Sequence, residues 1–286
     1  MNHFTFPVRQ ARRSAAMDDA PIDWNEAWQA ARLRAGKRSG KEVWDRRAPS
    51  FARNASASGY VERMLELMRP EPSWTVLDVG CGAGTLAAPL ARRVRAVTAL
   101  DFSPRMLELL RERCAAEGID NVAPVLGSWE DDWAGLGIGS CDVALASRSL
   151  SVPDLRAALL KLDAAARHRV FVTAPVGDGP IDRRVLAAVG RGYVPGPDYV
   201  YPANLLRQLG IEAAVELIAV EGVRQYDTLD DAVERLRWMV PEPTPEELAR
   251  LRGWLARELS PRAGGLELCP RTFHWAVISW VPARGR

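Results

Sequence analysis

Three glycines alternate at Gly80, Gly82 and Gly84, directly after the apolar run Val76-Leu77-Asp78-Val79. A strand ending in closely spaced glycines turns sharply and lets a ligand reach main-chain atoms with no Cβ in the way. Asp78, at the mouth of that strand, suits a cationic ligand group, acting through the local field or a water. A second apolar run ends in Leu100-Asp101-Phe102-Ser103-Pro104, about twenty residues further on. A carboxylate in that position accepts hydrogen bonds from both ribose hydroxyls of a nucleoside. Phe102 then lies beside the base, with Met106 packed on it. Ser103 caps the helix that follows and Pro104 starts it, which fixes Asp101 at the strand tip.

The glycine spacing separates two nucleotide chemistries. The dinucleotide fingerprint is G-x-G-x-x-G, its third glycine packing a helix whose N-terminus meets a pyrophosphate. Here the last position of that pattern is Thr85, so an NAD(P)-dependent oxidoreductase fits poorly. S-adenosylmethionine has no phosphate, and it presents an ammonium group that Asp78 can meet. The chain has no metal-ligand constellation, no G-x-S-x-G nucleophile elbow and no phosphate loop with lysine.

Residues 76–174 resemble the class I S-adenosylmethionine-dependent methyltransferases of small-molecule type, through the VLDVGCGAG turn and the LDFSPRML segment at that family's spacing. The resemblance implies S-adenosyl-L-methionine as methyl donor and S-adenosyl-L-homocysteine as product. It implies that Gly80, Cys81 and Gly82 line the methionine moiety, in a turn that Gly84 completes, and that Asp101 holds the ribose. An adenine-side contact is implied just after the third strand. Ser128 and Trp129 stand there, where many relatives have an acidic residue and a small partner. A tryptophan of the core or sheet edge is the competing reading of Trp129. Ser147 and Arg148, ending the fourth strand, hold the position that commonly faces the transferring methyl. Arg148 there either grips a carboxylate or phosphate on the acceptor or makes a surface ion pair. The run 44–51 is similar to the W-D-x-x-A-x-x-F segment that folds across the cofactor in many relatives, which nominates Trp44 and Phe51.

Methyl transfer from a sulfonium asks mainly for alignment, which contributes on the order of 7–11 kcal/mol. No catalytic base is therefore required by the motif, and none is assigned. Where the acceptor has a proton to lose, the candidates are His274, Tyr199 and Tyr201, with Arg148 beside them. Each has a structural alternative: a hydrogen-bonded strand histidine, or aromatic packing of a Pro-rich loop. The N/D-P-P-Y/W motif of amide- and adenine-directed enzymes is absent.

The elements that must position these residues alternate. Apolar strands fall at 75–79, 96–101, 122–126, 141–147 and 169–174, with helices at 83–93, 104–117 and 153–166 between them. Strands apolar on both faces and separated by helices predict a parallel sheet covered on both sides. Strands at 214–220 and 274–281 complete a Rossmann-like αβα sandwich, a mostly parallel seven-stranded sheet whose last strand is antiparallel. Helices beginning after Asp23 and at 60–69 form an N-terminal extension over 22–72, preceded by a disordered tail at 1–21 with Met17 as a second candidate start. The methyltransferase domain then spans 73–286, with insertions at 176–213 and 221–265 expected to act with the extension as a lid. Thr228 and Thr244 cap the two helices of the second insertion.

A formal net charge of +2 argues against a nucleic-acid surface. The longest apolar runs are far too short to span a bilayer. Cys81, Cys114, Cys141 and Cys269 show no zinc or redox spacing, which suits a reducing cytoplasm. The expected partner is a small-molecule methyl acceptor, on a monomer or homodimer. A non-catalytic protein that binds S-adenosylmethionine to regulate or scaffold is the alternative from another class.

Overall fold

The computed structural model describes residues 22–36 and 59–283, without the side chains of 222–224. Helix α1 (Trp24–Ala35) starts where the Asp23 carboxylate accepts from Asn25 N and Glu26 N, and it buries Trp28 and Ala31. Helix α2 (Tyr60–Met68) buries Tyr60, Met64, Leu65 and Met68 along one stripe, and it ends at Arg69 in a left-handed conformation ahead of Pro70.

The alternating region follows as β1 (Thr75–Val79), α3 (Ala87–Ala91), β2 (Ala96–Asp101), α4 (Pro104–Glu117), β3 (Val122–Leu126), β4 (Cys141–Ala146), α5 (Leu155–Ala165) and β5 (Ala166–Pro175). Beyond it lie α6 (Arg183–Ala188), α7 (Val200–Gln208), β6 (Ala213–Tyr226), α8 (Leu229–Leu236), α9 (Pro245–Glu258), β7 (Leu259–Arg262) and β8 (Gly265–Trp280). The sheet runs β3-β2-β1-β4-β5-β8-β6, with β7 added along β8. The first five of these strands are parallel, and β8 is antiparallel to both neighbours.

Every residue of β4 is buried, as are the last four of β1, because helices cover both faces of the sheet centre. Consecutive strand residues serve opposite cores. Leu77 and Val79 pack with Ala144, Leu155, Leu159 and Trp280 on one side. Val76 packs with Leu90, Val97, Leu107, Leu110 and Met64 on the other. The connections from β1 and β4 leave in opposite directions across the sheet, so a crevice opens between their C-terminal ends, where open α/β sheets bind ligands.

The sheet has eight strands rather than seven, and its last two long strands extend beyond the sequence expectation. The extra length is a ribbon in which β8 pairs with β6 and with β7, for example Tyr226↔Leu266 and Pro261↔Leu266. Charged residues and two prolines, Pro261 and Pro270, hide its period-two pattern. Pro270, lacking an N–H, falls where the register shifts between Gly222↔Arg271 and Arg224↔Leu268. The turn after the glycines also outlasts expectation, leaving only Ala87–Ala91 helical in the predicted 83–93. Helix α6 arises inside the Gly/Pro-rich stretch and joins α8 and α9 in a separate small core around Leu186, Leu236, Leu251 and Leu268. No helix among the described residues is long and apolar enough to cross a membrane.

Trp280 closes the sheet's last internal strand at 1% exposure, and its indole N–H donates to Asp163 Oδ1 at 2.8 Å. Trp280→Phe keeps most of the apolar volume but leaves that buried carboxylate short of a donor. The expected loss is about 1–3 kcal/mol in urea unfolding, with the m-value unchanged.

Candidate active site

The C-terminal ends of β1 and β2 are held in register, Asp78 opposite Ala99 and Val79 opposite Leu100. The chain leaving β1 is stitched to β2 by Gly80 N and Cys81 N, which both donate to Leu100 O at 2.7 and 3.1 Å. Gly80 has φ +73°, and a Cβ there would lie 2.3 Å from Ser149 Cβ. Gly84 has φ +81°, and a Cβ would lie 2.5 Å from Leu110 Cδ1, so this glycine lets the turn seat against α4. Gly82 N donates to Asp101 Oδ2 at 2.8 Å, and Ser103 N donates to Asp101 Oδ1 at 2.9 Å. The plane of the Asp101 carboxylate is thereby fixed.

Asp78, Gly80, Cys81, Gly82, Asp101, Phe102, Met106, Ser128, Trp129, Ser147 and Arg148 line one cavity. Its volume of 150 Å³ is an order of magnitude beyond the ~10–15 Å³ that admits a single water. Two buried carboxylates share it. Burial pushes the Asp78 carboxyl up to about 7, helped by the negative charge of Asp101 and opposed by Arg148. Burial likewise drives the Cys81 thiol far above its ordinary range, so this cysteine is packing, not a nucleophile.

The wall at Trp129 is built by residues with no motif of their own. Lys161 Nζ, on α5, donates to Trp129 O at 2.8 Å and Asp131 O at 2.5 Å, and lies 4.3 Å from the Trp133 ring centroid. Trp133 Nε1 donates to Ser128 O at 3.0 Å, which closes the loop on itself.

At the end of β4, Arg148 adopts φ +58° and its main-chain N donates to Thr173 Oγ1 at 2.8 Å. The Tyr60 hydroxyl bonds Ser147 Oγ at 2.7 Å and donates to Thr173 Oγ1 at 3.2 Å. The Arg148 guanidinium stacks 4.6 Å from the Tyr60 ring centroid. Beyond it a second cavity, sharing Arg148 and Ser151 with the first, is lined by Trp28, Arg32, Thr173 and Trp275 among others.

The remaining sequence candidates lie elsewhere. Gly84 lines neither cavity, and nor do His274, Tyr199 and Tyr201. His274 pairs with Ala219 inside the sheet, and its carbonyl accepts from Val176 N. Tyr201 sets its ring edge against Trp24 and Trp28, at 5.7 and 6.2 Å between centroids, and Tyr199 packs on the same core. Trp44 and Phe51 fall outside the described residues. Among the described residues, 221–265 gives none to either cavity, and 176–213 gives Gly196 and Pro197 to the second. Tyr60, Thr173, Trp275 and Lys161 escape sequence reasoning because their role depends on cross-sheet neighbours. Trp28 shows only as one face of a helix.

Comparison with known proteins agrees with this geometry. Residues 76–168 match a family model described as a methyltransferase domain. A Haemophilus influenzae protein without a characterised function is 33% identical over 240 residues, covering 83% of this chain and 88% of its own. Nocamycin O-methyltransferase of Saccharothrix syringae is 34% identical over 120 residues, covering 40% of this chain and 42% of its own. The solved structure of a putative methyltransferase from Bacillus halodurans superposes with a TM-score of 0.54 at 13% identity, covering 78% of this chain and 99% of that one.

The raised Asp78 gives a stability signature. Its ordinary carboxyl range lies near 4, and its folded value is about 7. The group's contribution to stability is therefore complete below about pH 4 and is lost as pH rises through 7. Asp78→Asn is expected to stabilise the ligand-free protein at pH 8 by on the order of 2 kcal/mol, and to give no such gain at pH 4. Urea unfolding at the two pH values measures the difference.

Proposed function

We propose that this chain, whose residues 76–168 match a methyltransferase-domain model, is a class I S-adenosylmethionine-dependent methyltransferase, that its first cavity binds S-adenosylmethionine and that the methyl group passes to a small-molecule acceptor. The observation that supports the reading most is Asp101, fixed at the tip of β2 by the N–H groups of Gly82 and Ser103 and lining the cavity beside the Cβ-free turn. The residues fit the donor's chemistry at three points. Asp101 is placed to accept from ribose hydroxyls. Asp78 supplies negative charge for an ammonium group. Phe102, Met106 and Trp129 give apolar and aromatic surface for a base.

When bound, S-adenosylmethionine supplies a methyl group on a positively charged sulfur, which takes back the carbon–sulfur electron pair as the acceptor's lone pair bonds the methyl carbon. The protein's part is to bind, orient and exclude water. Asp78, about half protonated near pH 7 without a ligand, ionises further as a cationic group arrives, so a fraction of a proton is released on binding. Cys81 and Gly82 crowd the methionine end, and Ser147 and Arg148 face the acceptor side. Helix α1 and the loop at 196–197 form the acceptor side's outer wall, a role that fits the proposed lid. No base is assigned, since none of His274, Tyr199 and Tyr201 lines either cavity.

Calorimetric titration with S-adenosylhomocysteine, and with NAD as the contrasting nucleotide, tests the reading. S-adenosylhomocysteine is expected to bind and NAD is not. Asp101→Ala should weaken that binding by about tenfold to a hundredfold, the value of hydrogen bonds to a charged group. Unchanged affinity in Asp101→Ala refutes the proposed site. Affinity should also fall below pH 7, by up to about tenfold per pH unit, because a proton on Asp78 competes with the ligand's ammonium. In Asp78→Asn that slope should vanish.

A further inference from the structure

Arginine carries nearly all the positive charge of this chain: only Lys37, Lys41 and Lys161 are lysines among its 38 basic residues. Lys161 is the one lysine among the described residues, and its surroundings favour an ammonium over a guanidinium. Its Nζ donates to two main-chain carbonyls of the loop after β3, Trp129 O at 2.8 Å and Asp131 O at 2.5 Å. It also lies 4.3 Å from the Trp133 ring centroid. Three partners thus converge on one point. A compact ammonium with three donors answers that geometry, whereas a planar fork does not. Partial burial lowers the pKa of Lys161, and the neighbouring acids Asp131, Asp132 and Glu130 oppose the shift.

The loop has no regular secondary structure, yet its polar groups are tied. Ser128 N donates to Asp131 Oδ2 at 2.7 Å, and Ser128 O accepts from Trp133 Nε1 at 3.0 Å. The rings of Trp129 and Trp133 lie 5.9 Å apart, and Trp133 is buried. Lys161, Trp133 and Trp129 therefore form a chain of contacts that ends at the first cavity, which Trp129 lines and Lys161 does not. Helix α5 gives that chain a fixed base. It buries Leu155, Ala158, Leu159 and Leu162 in the core, and its Asp163 accepts from Trp280 Nε1.

We propose that Lys161 is a positioning residue for the base of the bound nucleoside, holding Trp129 in place as a wall of the first cavity from outside it. The inference rests on the methyl-donor reading, since it takes the first cavity as the nucleoside site. Without the ammonium, Trp129 O and Asp131 O lose that donor, and Glu130, Asp131 and Asp132 lose a nearby countercharge. The wall then loosens, and the base loses a preformed surface to stack on.

A double-mutant cycle on the full chain, read by calorimetric titration with S-adenosylhomocysteine, tests this. Trp129→Leu should weaken binding about fivefold or more, the value of a base stacked on an aromatic ring. Lys161→Met should weaken it by about fivefold to tenfold in the parent protein, and by less than about twofold once Trp129 is gone. That loss of effect is the readout a general structural role would not give. Urea unfolding reports whether each variant is folded. If Lys161→Met is not, Lys161→Arg keeps the charge and takes its place in the cycle, with the same non-additivity expected. The inference is overturned if either single variant binds like the parent, or if the two losses multiply in the double variant. Asp101→Ala keeps the two readings apart. A parent that binds S-adenosylhomocysteine and loses affinity in Asp101→Ala but not in Lys161→Met refutes this inference alone. A parent that does not bind it refutes the donor reading, and this one with it.

Discussion

Two carboxylates at neighbouring strand tips, both out of reach of bulk water, set the terms for the rest of the site. Asp78 is 2% exposed and Asp101 6% exposed. Charges this deep cost several kcal/mol unless they are hydrogen-bonded or neutralised. The two solve the problem differently. Asp101 accepts a hydrogen bond on each oxygen, from Gly82 N and from Ser103 N. Asp78 is instead pushed towards neutrality, its carboxyl near 7. The glycine turn and the Ser103 cap follow from this constraint. A bulkier turn could not bring Gly82 N to Asp101, and an uncapped helix would let the carboxylate rotate.

How far the sequence reveals this depends on the range of the interaction. The glycine turn, Asp101 with its Ser103-Pro104 cap, and the parallel strands are local signals, carried within a few residues, and they appear where the spacing puts them. At Gly84 the close approach of Leu110 already demands glycine, and that demand looks like a ligand's in a sequence. The β6–β8 ribbon is hidden because partners dozens of residues apart, not alternation, define it. His274, Tyr199 and Tyr201 stand out in the sequence for their chemistry alone. A strand's two faces decide whether a side chain reaches a crevice, and one residue of register exchanges them. Trp275, next to His274, lines the second cavity, whereas His274 does not. Lys161 and Tyr60 have no motif at all, since their partners come from other strands and loops.

The end of β4 is harder to read from the sequence than the glycine turn. Arg148 occupies a left-handed conformation that costs a non-glycine residue on the order of 1–3 kcal/mol. The fold sustains it through the bond from Arg148 N to Thr173 Oγ1 and the stacking of the guanidinium on Tyr60, which is itself hydrogen-bonded to Ser147 and Thr173. Three segments far apart in the chain thus over-determine one strained residue. Were Arg148 merely a solvated cation, a relaxed extended backbone would serve as well, and neither Thr173 nor Tyr60 would need to engage it. The strain makes sense if it positions a charge at the boundary between the two cavities. Methyl transfer gains most from holding its partners in line, and a fixed side chain at that boundary helps to do so. The glycine turn is a local signal that any reader of glycines can find; the support around Arg148 is a tertiary brace, visible only once the sheet has brought β4, β5 and α2 together.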